Sequence, residues 1–228
     1  MTYLERKIER GPRKGRMECS LDGGMTWTRL LPISFTAENA QKCFDRAKTQ
    51  FRLLLNPQPP ASSNRFAFSE DGFECATRDG ELVAEWQPRY RVGDVLVLQE
   101  PWRTVAVQDK WKPTLLPPNA PIYYEGAPVG AFSRGDAGKL RPARFLPLRF
   151  ARPARYLVTA VKCERVSEIS EADAKAEGVT DTEVLAGVTF DCGYRINFGR
   201  LWNSIHPKPG TRFEDGPWAF VFQFERIL

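Results

Sequence analysis

The densest group of residues able to do chemistry is a run of cations. Arg134, Lys139, Arg141, Arg144, Arg149, Arg152 and Arg155 fall within 22 residues that carry one acid, Asp136. Guanidinium and ammonium groups at that density suit phosphate binding, and Arg149 and Arg152 suit a forked grip on it. A solvated, irregular surface segment is the alternative. Upstream, Glu100 closes an apolar run and is followed by Pro101 and Trp102. A carboxylate at a strand end sits where cleft mouths form; an ion pair with an arginine is the equal alternative. Trp102 and Trp111 are large enough to stack on a base or to pack inside. His206, the only histidine, lies in the turn-like run IHPKPG and is assigned a solvated or capping role. A single histidine removes most zinc sites and every Ser-His-Asp or Cys-His scheme not built on it.

Five cysteines, Cys19, Cys43, Cys75, Cys163 and Cys192, show no C-x-x-C spacing. That disfavours a disulfide framework or zinc knuckle and fits a reducing, cytoplasmic compartment. No P-loop, G-x-G-x-x-G or H-E-x-x-H motif occurs, which disfavours P-loop nucleotide hydrolysis, dinucleotide redox chemistry and zincin proteolysis. No metal or organic cofactor is expected. The net charge of +5 and pI of about 9.0 permit nucleic-acid binding without demanding it. The absence of a long apolar run predicts no membrane span, and the charged start MTYLERKIERGPRKGR lacks the apolar centre of a secretory signal.

Elements that would position these groups can be read from periodicity. Residues 1–16 are basic and expected to be mobile. Asp22-Gly23-Gly24 marks the turn of a hairpin. From Thr36, the apolar stripe Ala40, Cys43, Phe44 and Ala47 predicts a helix that delivers Lys48 and Arg52 at or just past its end. A second hairpin is expected near Asp79-Gly80. Val95 to Leu98 reads as a strand buried on both faces, Ile122 to Tyr124 as a short strand, and Tyr156 to Cys163 as a clear one. Ser170, with Asp173 in capping-box position, opens a short helix that Gly178 ends. Residues 180–193 read as a loop or lid. The stripe Tyr194, Phe198, Leu201, Trp202 and Ile205 predicts a helix over 194–205, and Trp218, Phe220, Phe222 and Phe224 line the core face of a final strand. The fold class is mostly β with small α additions (α+β).

Several segments then line up with one family. Pro32-Ile33-Ser34-Phe35 followed by Ala47-Lys48-Thr49-Gln50-Phe51-Arg52, and Val92-Gly93-Asp94-Val95-Leu96-Val97 with Glu100-Pro101-Trp102, are the first two pieces. Arg141-Pro142, Pro147 and Arg149-Phe150-Ala151 running into Leu157 to Gly178 form the third. Phe198 to Ile205 with Gly216-Pro217-Trp218 forms the fourth. In this order they resemble ASCH-domain proteins of phages and prophages, within the PUA-like group. The resemblance runs from residue 32 to the C-terminus. Residues 1–31 become an N-terminal extension with a hairpin, and 32–228 an ASCH domain with loop insertions.

The resemblance implies a PUA-like β-barrel flanked by short helices, with a cleft beside it, in the cytoplasm of a bacterial host cell. It implies RNA, DNA or a modified nucleoside as partner and no membrane. Some members are amidohydrolases that deacetylate N4-acetylcytidine, and others are nucleases. In the amidohydrolase pattern the working groups are a Lys, a Thr three residues later and a Glu in the short helix. Lys48 and Glu177 fall at two of these positions, and Phe51 stands at the Thr position. A phenyl ring can neither attack nor hydrogen-bond as a hydroxyl does; Thr49 is the nearest hydroxyl in the chain.

Three readings stay open. The first is a binding module that reads a nucleic acid or modified base, with Lys48, Thr49, Arg52, Trp102, Arg149 and Arg152 as contacts. The second is a hydrolase working through Lys48 and Glu177, with Glu100 near the cleft. The third is a phage protein that binds a host protein through the N-terminal extension.

Overall fold

The structure is a computed structural model, and it describes residues 4–9, 16–60, 63, 65–68, 74–78, 81–125, 136–185 and 188–228. The chain forms two compact units: Met1–Arg46 with Gly93–Leu157 and Arg226–Leu228, and Ala47–Val92 with Val158–Glu225.

In the first unit, strands run in the order Leu4–Lys7, Met17–Ser20, Thr28–Ser34, Val95–Gln99 and the start of Arg155–Arg165. All neighbours are antiparallel except Thr28–Ser34 with Val95–Gln99, which are parallel. Val95–Gln99 is buried throughout, as its unbroken apolar run requires. Val95 and Val97 pack with Cys19 and Leu30. The expected hairpin at Asp22 forms because that carboxylate collects the turn's donors: Ser20 Oγ, Thr26 Oγ1 and the Met25 and Thr26 amides. These donors hold the carboxyl well below the usual carboxylate range. Residues 4–7 of the start, expected to be mobile, pair with Met17–Ser20.

The helix Ala37–Phe44 is capped by Thr36, whose hydroxyl accepts from the Asn39 amide. It stops three residues short of the predicted stripe. Arg46 takes a left-handed φ of 60°, a conformation that ends helices, and Gln50–Leu54 is a strand. Arg52 therefore comes from a strand and not from a helix end. Residues 106–122 and 136–150 are largely irregular, with short 3-10 turns at Ala106–Gln108, Pro113–Leu115, Ala143–Phe145 and Leu148–Phe150. Trp102, Leu116, Ala120, Leu146 and Phe150 form the apolar cluster beneath them.

In the second unit, Trp218–Arg226 lies between Gln50–Leu54 and the rest of Arg155–Arg165. Its first five residues are all buried, the aromatics and also Ala219 and Val221. Helices Glu171–Ala176 and Tyr194–Ile205 pack around Val166, Ile169, Ala174, Phe198, Trp202 and Ala219. Ser170 accepts from the Asp173 amide and Gly178 adopts φ +81°, as cap and stop. His206 caps the longer helix through its amide, and its ring lies tilted against Trp202 with centroids 4.2 Å apart. Burial lowers its pKa.

One expectation changes here. Thr182–Leu185 and Val188–Asp191 pair as an antiparallel hairpin where a loop or lid was read; Val184, Val188, Thr189 and Phe190 are good strand formers. Glu74–Arg78 pairs with both Arg65–Phe68 and Glu81–Trp86; the Asp79-Gly80 turn lies outside the described residues. The architecture is a mostly β, mixed sheet with few helices. No closed barrel is found among the described residues, where Leu4–Lys7 and Gln50–Leu54 end the strand order. No helix among the described residues is long and apolar enough to cross a membrane.

Candidate functional site

Lys48 and Glu177, 129 positions apart, meet in the second unit. Lys48 precedes the strand Gln50–Leu54, and Glu177 is the C-cap of Glu171–Ala176. The strand end and the helix end are tied by the Thr49 amide, which donates to the Ala176 carbonyl at 2.9 Å. Lys48 Nζ donates to Glu177 Oε2 at 3.0 Å and to its carbonyl at 2.7 Å. Both residues are buried, at 5% and 6% exposure. Arg52 donates through Nη1 to Glu177 Oε1 at 2.6 Å and through Nη2 to Glu164 Oε1. Lys162 then bridges Glu164 and Asp173. The fully buried Gln50 amide is best satisfied with its oxygen accepting from Arg52 and its nitrogen donating to Asp173.

Burial alone would lower the pKa of Lys162; the Glu164 and Asp173 carboxylates outweigh it and hold the group above its ordinary value. The cations Lys48, Arg52 and Lys162 balance the carboxylates Glu164, Asp173 and Glu177. Such a cluster is tolerable inside because each charge has a partner.

Both carboxylate oxygens of Glu177 accept from cations, which leaves each one lone pair for a further donor. Phe51 supplies no hydroxyl. Its ring stacks on Phe222 at 4.9 Å and meets Tyr90 and Phe224 at 5.8 Å. Thr49 is exposed and contributes through its backbone. Glu164, Gln50, Lys162 and Asp173 belong to the cluster and were not legible as such. Only the spacing of Glu164, Lys162 and Gln50 from matched positions hints at a shared face.

In the first unit, Glu100 is fully buried and forms the ion pair read as its alternative. Arg152 grips it bidentately, with Nε at 2.6 Å from Oε1 and Nη2 at 2.5 Å from Oε2. The Arg152 guanidinium lies 3.8 Å from the Phe44 ring centroid and 5.2 Å from that of Tyr124. Burial, and then the charge of Glu100, raise the pKa of Tyr124 against the opposing pull of Arg152. Its hydroxyl donates to the Phe150 carbonyl. Trp102 is fully buried under Arg141, which leaves no face for a base.

The basic run divides into spent and unspent cations. Arg141 donates to the carbonyls of Gln108, Asp109 and Trp111. Arg149 donates to that of Leu116 at 2.9 Å, Arg152 to Glu100, and Arg155 to Glu5. Arg134 lies outside the described residues. Lys139 and Arg144 are exposed and pair with no described carboxylate, and the same holds for Lys110 and Lys112 on either side of exposed Trp111. The two lysines of Lys110-Trp111-Lys112 fall outside the run counted from sequence. The alternation of cation and aromatic was the signal available for them.

No family model and no curated protein matches the chain. Among solved structures it is similar to the crystal structure of an ASCH domain from Lactobacillus crispatus JV V101, at 13% identity and a TM-score of 0.35, covering 86% of this chain and 79% of that one.

Proposed function

We propose that this chain binds nucleic acid, with Lys110, Lys112, Lys139 and Arg144 of the first unit contacting phosphates. One observation carries the reading. Arg141, Arg149, Arg152 and Arg155 are taken up by carbonyls and carboxylates, whereas the side chains of these four are exposed and pair with no acid among the described residues. An exposed, uncompensated set of this kind releases counterions when it meets a phosphate backbone. The sequence resemblance to ASCH-domain proteins supports the same class of partner. Fluorescence anisotropy with a short labelled oligonucleotide at low ionic strength tests it. Saturable binding is expected, and a folded protein that leaves the anisotropy flat would remove the proposal.

A second reading, amide hydrolysis on an N4-acylated cytidine, is favoured by the 3.0 Å contact between Lys48 and Glu177. Because Phe51 stands where the pattern has a hydroxyl, no deacetylated product is expected by mass spectrometry after prolonged incubation. Cytidine released by the wild-type chain and not by Lys48→Met would put hydrolysis ahead of binding.

A further inference from the structure

We infer that the bound strand is single, and that exposed Trp111 and Phe145 hold its unpaired bases; this rests on the nucleic-acid reading above. The two rings sit on neighbouring, tied segments. Arg141 donates to the Trp111 carbonyl at 3.1 Å, and Arg149 donates to the Leu116 carbonyl at 2.9 Å. Residues 111–116 are thus clamped at both ends to 141–149, and Arg144 and Phe145 lie between the clamps.

Each ring is carried on a short turn. The Trp111 amide donates to Gln108, and the Phe145 amide to Pro142. Lys112 and Pro142 begin 3-10 turns as their N-caps, which limits the backbone freedom that binding must remove.

Both rings are open to solvent, Trp111 at 43% and Phe145 at 50% exposure. The Arg144 guanidinium lies 4.8 Å from the Phe145 ring centroid, so a planar cation and a ring are presented together. Lys110 and Lys112 flank Trp111 in the chain, and Lys139 is tied through its amide to Asp109 Oδ2 at 2.9 Å, two residues before Trp111. Cations that follow a backbone, alternating with aromatic faces, match a strand whose bases are turned outward. A duplex keeps its bases stacked inside and offers these rings nothing, so the cations alone would act on it. The chemistry needs no base identity, because every base has a π-face.

The test uses the full chain. Anisotropy titrations compare an unstructured single strand with a duplex of equal length, for wild type, Trp111→Ala, Phe145→Ala and Trp111→Phe, with circular dichroism confirming that each variant folds. Single strand is expected to bind more tightly than duplex. Loss of either ring should weaken single-strand binding by about tenfold, with the salt dependence unchanged because no charge is removed. Trp111→Phe should retain most of the affinity. Equal affinity for duplex and single strand, with Trp111→Ala indistinguishable from wild type, would overturn the stacking inference while leaving phosphate binding intact. No binding of either nucleic acid would overturn both.

Discussion

Glu177→Ala should destabilise the second unit by about 3–5 kcal/mol, the range for removing one partner of a buried ion pair. The magnitude follows from what is left behind. Lys48 loses its carboxylate, and Arg52 loses one of its two. The Lys48 and Arg52 side chains are 5% and 1% exposed, so water cannot readily replace the lost oxygens. Glu177→Gln, which keeps an acceptor but not the charge, should cost less than the alanine variant. Lys48→Met should also cost less, because Glu177 then retains Arg52. Urea denaturation of the three variants checks the order. A Glu177→Ala loss below about 1 kcal/mol, the value typical of surface pairs, would mean that the cluster is solvated in solution.

The second large effect concerns binding. Substituting Lys110, Lys112 and Arg144 together by glutamine is expected to weaken oligonucleotide affinity by about a hundredfold near 0.1 M salt, since each lost phosphate contact to a single strand is worth about fivefold there. These three positions are chosen because each is exposed and its side chain holds no carbonyl or carboxylate among the described residues. Arg141 and Arg149 are left in place because they clamp residues 108–116, and their removal would confound charge with structure. Unchanged thermal stability together with the loss of affinity is the expected pattern. Unchanged affinity would place the contact elsewhere.

What the sequence revealed, and what it concealed, follows the range of the interactions involved. Local chemistry was readable. The stripe from Tyr194 to Ile205 gives a helix with those bounds, Ser170 and Gly178 act as cap and stop, and Asp22 closes the first hairpin. Each depends on groups within a few residues. The apolar stripe outruns the short first helix because Ala47 continues it, while the left-handed Arg46 that breaks the helix carries no compositional mark.

Long-range partners were not readable from residue types. Lys48 and Glu177 were paired only through the family resemblance, and the structure does bring them together. That Arg52 donates to the second carboxylate oxygen, and that Arg149 is engaged by a backbone carbonyl, depends on where distant segments lie. A run of arginines gives charge density but says nothing of which guanidiniums are already satisfied. The same limit applies to Trp102, whose burial depends on Arg141 and on the turns at Ala143–Phe145 and Leu148–Phe150 covering it.

The most direct test of the central claim is the salt dependence of oligonucleotide binding by the wild-type chain. With Lys110, Lys112, Lys139 and Arg144 as phosphate contacts, the logarithm of the affinity should fall linearly with the logarithm of salt concentration, with a slope of about −3 for a single strand. Affinity that stays flat across the series, or no binding by folded protein at the lowest salt, would contradict the claim that these exposed cations exist to meet phosphate.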